Sequence, residues 1–374
     1  MLKTAAVTLL ALLGSAVLAL AGWGTPAALA HMLFAIGVLP LIFAAMTHFV
    51  PVLTRTGDSG GGIGLLPTLA QLAGAGVVAG MAGVLPYTVV YAAAAVDLVL
   101  AVILLSWIHA RARACLGKPH PGWRWYAAAL LMLICALLAV LGMAVQSAYW
   151  APLRLFHLHL NTLGLVGLAA FGTLPLLLPT ALAKPDPDVF SWMMRRLPPM
   201  LIGVLALAAG ISTFWPMSVG AAAILFVTVL GLMGQWLRRF GFRVLLADGV
   251  AASLLAAVGG WLLCLGAGVL HAATLISARP TLLAWGAAFL LPLVTGALSQ
   301  LLPVWRWPGL RCPERDAMRN RLAASGSWRG GLFLAGGLAF LGEFERLAFP
   351  LTGCAMLLFA FALVQAMRIQ RSTR

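Results

Sequence analysis

Seven histidines are the residues of this 374-residue chain best suited to chemistry. His31, His157, His159 and His271 stand at or near the same end of apolar runs, next to short and weakly charged connections. Neutral imidazole is a common ligand for heme iron, copper and zinc, so these four are the candidate metal ligands. His157 and His159 are two residues apart, which on a helix turns them roughly 200° from one another. Only one of them can then face a given ion. His48 lies at the other end of the run that starts at His31, about 25 Å along a helix axis, and cannot share its center. Capping or hydration is its simplest role. His109 and His120 belong to a basic connection and read as solvated.

Asp97 is the second candidate, in the middle of an apolar run, Tyr91-Ala-Ala-Ala-Ala-Val-Asp97-Leu-Val-Leu. A lone carboxyl group inside a membrane is costly and marks a functional site by default, as a proton relay, a ligand site or a hydrogen-bonded acid. Gln71, Tyr87 and Tyr91 are candidate partners. Gln146 and Gln300 read as hydrogen-bonding groups between helices, and Gly76-Val-Val-Ala-Gly80 as a close helix crossing. Cys135, Cys264 and Cys354 fall in apolar runs and behave as small apolar residues. Cys115 and Cys312 are reduced thiols outside such runs, and no CxxC is present. The run Ser59-Gly-Gly-Gly-Ile-Gly64 is a turn rather than a phosphate loop.

The elements that must position these groups follow from composition. The chain is 63% hydrophobic and 9% charged, with a mean hydropathy of +1.03. Soluble domains carry roughly 25% charged residues, so a water-soluble enzyme, a nucleic-acid-binding domain and a disordered chain are excluded. A membrane helix needs about 20 apolar residues. Twelve segments qualify, over 4–22, 31–53, 65–84, 86–108, 126–147, 154–182, 198–214, 217–236, 246–270, 281–304, 328–342 and 347–367. The eleventh is the weakest. The expected fold is all-α, one integral membrane domain over 1–374.

With twelve spans, 21 of the 24 lysines and arginines fall on one side, leaving Arg154, Arg279 and Arg346 on the other. This bias places both termini in the cytoplasm of a bacterial-type inner membrane, with the four candidate histidines outside. The net charge of +15 is then a topology signal, and no nucleic-acid partner is needed. Trp23, Trp150 and Trp215 at outer ends, and Trp107, Trp123, Trp125, Trp192, Trp236, Trp305, Trp307 and Trp328 at inner ends, form the interfacial belts. An alternative reading takes the first apolar run as a cleaved signal peptide, leaving eleven spans and an outside N-terminus.

An internal repeat is visible. The runs ending Ala44-Ala-Met-Thr-His48-Phe-Val-Pro51, Gly172-Thr-Leu-Pro175-Leu-Leu-Leu-Pro179 and Gly296-Ala-Leu-Ser-Gln300-Leu-Leu-Pro303 each set a small residue seven positions before a proline. The prolines are 128 and 124 residues apart, a period of four helices. Twenty positions before them stand His31, His159 and Leu283. Three four-helix units follow, at approximately 1–124, 125–244 and 245–374.

Twelve helices in three equivalent groups, with histidines at the outer ends of helices 2 and 6, resemble the heme-copper oxidase subunit I superfamily. The segments His31-Met-Leu-Phe34 through Pro51-Val-Leu-Thr-Arg-Thr-Gly57, and His157-Leu-His159-Leu-Asn-Thr-Leu-Gly164 through Pro175, are most similar to NnrS-like and other non-oxidase branches. The resemblance implies heme or copper held by His31 and His159, with His157 and His271 beside them, and a link to nitric oxide or another small gas. It also shows departures. Helix 10 lacks the two heme-ligating histidines of the oxidases, helix 7 lacks the copper-binding pair, and Leu163 stands where a tyrosine would follow His159, as Asn161 does for His157. Oxidase turnover is therefore not expected, and an accessory or sensing role is. A transporter of a small molecule or metal ion, built on Asp97 and the kink prolines Pro51, Pro179 and Pro303, is the alternative class. An assembly partner without a prosthetic group is a third. A homo-oligomer or a respiratory partner is left open.

Overall fold

The computed structural model describes residues 1–57 and 60–370. Ser59 of the glycine-rich turn, and Arg371 and Arg374 of the basic side, lie outside the described residues. The chain is 85% helix, with no strand among the described residues. Among the described residues, eleven helices are long and apolar enough to cross a bilayer. These are α1 (Leu2–Leu20), α2 (Pro26–Thr54), α3 (Gly61–Met81), α4 (Thr88–Arg113), α5 (Gly122–Val145), α6 (Ser147–Ala181), α7 (Val189–Thr213), α8 (Trp215–Phe240), α9 (Gly249–Ala272), α10 (Ala278–Arg306) and, after one shorter helix, α12 (Glu345–Met367).

The shorter helix is α11, Gly326–Leu341. It coincides with the expected span 328–342, but its 16 residues reach only about 24 Å, less than the ~30 Å of a hydrocarbon core. Two further short helices, Phe242–Ala247 and Pro313–Ala323, precede α9 and α11. One boundary differs sharply from expectation. Pro198 and Pro199, read as the start of a helix, sit inside α7, which begins at Val189. The added turns carry Trp192, whose ring stacks on Trp125 at 5.5 Å, and Met193, whose carbonyl accepts a hydrogen bond from Trp125 Nε1 at 3.1 Å.

Three helices share a defect. In α2 the segment Met32–Val38 is π-helical, in α6 Leu160–Gly167, and in α10 Trp285–Leu290. A widened turn of this kind is rare and is found often at functional sites. In α2 and α10 a proline, Pro40 or Pro292, is the second residue after the segment. Proline lacks an N–H and clashes with the carbonyl four residues back, and a wide turn relieves both. In α6 Ala169 stands there, and the wide turn persists without a proline.

The chain divides into two compact units, Met1–Thr173 with Phe190–Phe214, and Leu174–Val189 with Trp215–Arg374. In the first, α1 packs on the π segment of α2, where Thr8 Oγ1 donates to the Gly37 carbonyl at 2.9 Å. On its other side α3 presses close, since a Cβ on Gly74 would lie 2.4 Å from the Ala35 carbonyl oxygen. The order continues α3 on α4, α4 on α5 and α5 on α6. Tyr126 and Thr173 share a hydroxyl hydrogen bond of 2.8 Å.

In the second unit α9 is the center, touched by α8, α10 and α11. Asp248 starts it by accepting from the Val250 and Ala251 N–H groups, both at 3.0 Å, which satisfies two orphan donors of the first turn. The other Asp248 oxygen pairs with Arg319 at 2.7 Å, and Arg319 also reaches the Gln300 side chain and the Ala181 carbonyl. Gln300 thus bridges two helices, as its sequence position suggested. Arg329, at the basic end of the expected span 328–342, is fully buried in the first turns of α11. Large apolar side chains such as Leu10, Val99, Leu138, Ile202, Val227 and Phe361 lie exposed. On a chain this apolar they form a lipid-facing exterior.

Candidate functional site

His31 closes the first turns of α2, Pro26–His31, which Thr25 caps by accepting from the Ala28 N–H at 3.2 Å. His31 is also the last residue before the π segment, as His159 is in α6. Both rings turn back on their own helix. His31 Nδ1 hydrogen-bonds the Ala27 carbonyl and His159 Nδ1 the Leu155 carbonyl, each at 2.8 Å and each four residues back. His157 reaches across instead, its Nδ1 on the Ala136 carbonyl of α5 at 3.0 Å. In the second unit, His271 Nδ1 bonds the Ile276 carbonyl at 3.0 Å.

A carbonyl can only accept, so Nδ1 carries the proton in all four rings. In the neutral imidazole this leaves the lone pair on Nε2. Fixing the tautomer through a backbone carbonyl is how metal-ligating histidines are commonly oriented.

The structure brings His31 to His157. Their ring centroids are 6.4 Å apart and their planes 13° from parallel. Because His157 takes this direction, His159 points to a different side of α6, as the roughly 200° between them requires. Asn161, one turn on, donates from Nδ2 to the His157 carbonyl at 2.8 Å, with the same nitrogen 3.3 Å from His157 Nδ1 and 3.5 Å from Nε2. Asn161 went unremarked in the sequence except as the residue replacing an oxidase tyrosine. Its four-residue spacing from His157 was the available signal.

The separation of the pair lies at the outer limit for a two-imidazole site. Two rings bound to one ion through Nε2 have centroids at most about 6.4 Å apart, given bonds of about 2.1 Å and about 1.1 Å from nitrogen to ring center. The observed separation meets that limit. Among the described residues no group of three or more His, Cys, Asp or Glu is placed to hold a metal ion. Further coordination would have to come from outside this residue set.

Asp97 is 3% exposed in α4, one turn beyond Ala93 on the face that packs with Val77 of α3. Its Oδ1 is buried without a hydrogen-bond partner, and so is Gln71 Nε2. Tyr87 and Tyr91 contact each other edge to face at 5.5 Å. His48 packs edge-on against Phe49. His120, expected in solvent, is half-buried. Its backbone N–H donates to the Leu53 carbonyl at 2.9 Å, its Nδ1 accepts from the Gly122 N–H at 3.2 Å, and its ring meets Phe190. All five cysteines are free thiols.

No protein-family model matches the sequence, and no curated protein matches it.

Proposed function

We propose that this chain is a multi-pass membrane protein that holds a heme iron or a copper ion through His31 and His157, without oxidase turnover. The observation that carries this reading is the near-parallel pair of imidazoles at 6.4 Å, each held through Nδ1 by a carbonyl. A bound heme supplies ligand exchange with a small gas. The resemblance to NnrS-like proteins makes nitric oxide the gas of interest and an accessory or sensing role the physiological setting. His31, His157 and the Asn161 amide hold and orient.

The same reading takes the protein as three four-helix units, supported by π segments that begin 19, 19 and 18 residues before Pro51, Pro179 and Pro303. It places α11 as the twelfth span and both termini on the cytoplasmic side of an inner membrane, supported by the asymmetry of basic residues.

The test is an absorption spectrum of detergent-purified protein, oxidized and dithionite-reduced, with iron and copper counted on the same sample. A Soret band that shifts on reduction and vanishes in His31→Ala and His157→Ala is the expected result for heme. Copper lost in the same variants is the expected result for a bare ion. A colorless, metal-free protein from cells replete in both sinks the reading.

A second reading rests on Asp97, whose buried and unpartnered carboxyl oxygen suits a proton- or cation-coupled transporter. Here Asp97→Asn abolishes substrate flux in reconstituted vesicles while His31→Ala does not.

A further inference from the structure

At the end of α4 opposite Asp97's apolar N-terminal half, a groove of about 860 Å³ opens between α4 and α5. Leu105, His109 and Arg113 line it from α4 at four-residue intervals, with Ser106 beside them, and Ala127 and Leu131 line it from α5. Residues four apart on a helix share a face, so the groove has an order along the axis. Leu105 and Leu131 lie deepest in the span. Arg113 lies about 12 Å farther out, at the last turn of α4. Leu131 is 44% exposed, so the groove opens sideways toward lipid rather than into the protein.

No carboxylate is among the residues that line it. No aspartate or glutamate occurs in the sequence between Asp97 and Asp186, a stretch that contains all of α5 and the second half of α4. The neighboring cations are already engaged. Arg111 lies over Trp107 at 5.3 Å and donates to the Gly57 carbonyl at 3.0 Å, and Arg124 lies over Trp123 at 5.7 Å. None of the ion pairs among the described residues includes Arg113. The ring of His109 stands edge-on to Trp123 at 6.0 Å, and with Trp107 this sets the groove at the depth where tryptophans meet lipid headgroups.

We infer that this groove binds one anionic phospholipid. The headgroup phosphate sits against Arg113, with His109 one turn deeper as a hydrogen-bonding neighbor, and an acyl chain lies along Leu105, Ala127 and Leu131. Basic pockets between membrane helices on the basic side are suited to such headgroups. The apolar floor and the sideways opening favor a lipid over a soluble phosphate compound.

The test uses full-length protein in neutral detergent, titrated with phosphatidylglycerol or phosphatidylcholine of identical chains. Bound lipid is counted by native mass spectrometry and stability is followed by tryptophan fluorescence on heating. Phosphatidylglycerol is expected to bind about tenfold more tightly than phosphatidylcholine. Arg113→Gln is expected to reduce that preference about fivefold, the loss of one membrane-surface cation of about 1 kcal/mol. Leu131→Trp, which fills the groove without touching charge, should also displace the lipid. Arg195→Gln, an exposed cation on α7, should leave binding unchanged. Equal loss in Arg195→Gln would mean diffuse surface attraction and overturn the site. Equal binding of the two lipids, full binding by Leu131→Trp, or competition by glycerol phosphate at similar concentration would each overturn it as well.

Discussion

His31 and His157 face each other with ring centroids 6.4 Å apart although 125 residues separate them in the chain, and each is steered by a different helix. The Nδ1 of His31 is held by its own helix at Ala27. That of His157 is held by Ala136 on α5. The orientation of the pair therefore depends on how α5 and α6 pack, and not on helix α6 alone.

His157 is accordingly predicted to matter more than its neighbor two residues on. His157→Ala should abolish heme or copper retention, and Asn161→Ala, which frees the His157 carbonyl and the space over its ring, should weaken it by about 10- to 100-fold, as expected for a group that orients a ligand. Elemental analysis and equilibrium titration of the purified variants measure both. Retention in His157→Ala together with loss in His159→Ala would transfer the site to the other face of α6.

Much of this arrangement was readable in one dimension. Hydrophobic runs located the eleven membrane-length helices among the described residues because membrane spanning is a requirement on length and polarity alone. The choice between His157 and His159 was not readable, since it depends on the azimuth of α6, which the wide turn after His159 resets. The misplaced start of α7 has a similar cause. Pro198 and Pro199 look like a helix start, but the turns before them pack through the stack of Trp192 on Trp125, a contact between distant segments. The burial of Arg329 was not readable either, because it depends on Ser299 and Phe359, far off in sequence.

The π segments lead to a steric prediction. A Cβ on Gly260 of α9 would lie 1.9 Å from the carbonyl oxygen of Ala288, inside the π segment of α10, whereas a Cβ on Gly259 meets nothing within 4 Å. Backbone, not a flexible side chain, blocks the first site. Gly260→Ala should destabilize by about 3 kcal/mol or more or prevent folding, as overpacking against backbone does. Gly259→Ala should be neutral or stabilizing by about 0.5–1 kcal/mol. Thermal unfolding in detergent separates them, and equal tolerance of the two would refute the close α9–α10 approach.

Acid should loosen the joint between α4 and α5. Burial holds the His120 imidazole below the ordinary histidine value, and its Nδ1 accepts the Gly122 N–H that begins α5. Protonation at Nδ1 removes that acceptor. The unfolded chain binds the proton more readily, so this contribution is complete above the unperturbed value of about 6.5 and is lost as pH falls below it toward the folded value. The melting temperature should drop between roughly pH 7 and pH 5, and His120→Asn should flatten that part of the profile. An unchanged slope in the variant would assign the acid sensitivity elsewhere.

Arg329 provides the most direct test of how the second unit is held. Its guanidinium is fully buried, donates to the Leu322 carbonyl at 2.9 Å and to Ser299 Oγ at 3.1 Å, and lies 5.1 Å over the Phe359 ring, while its Nε has no hydrogen-bond partner. No carboxylate pairs with it among the described residues. Two effects oppose one another. Burying a cation without a counter-charge is expensive, so removing it returns part of that cost. Removing the whole side chain, however, leaves the Leu322 carbonyl unsatisfied at the end of the helix Pro313–Ala323 and opens a cavity beside Phe359. Arg329→Ala should therefore cost about 3 kcal/mol, and Arg329→Met, which keeps the stem and drops the charge, about 1 kcal/mol or less. Thermal unfolding in detergent ranks the three proteins. If alanine and methionine cost the same, the charge and its hydrogen bonds, rather than the packing of the stem, hold α11 in place.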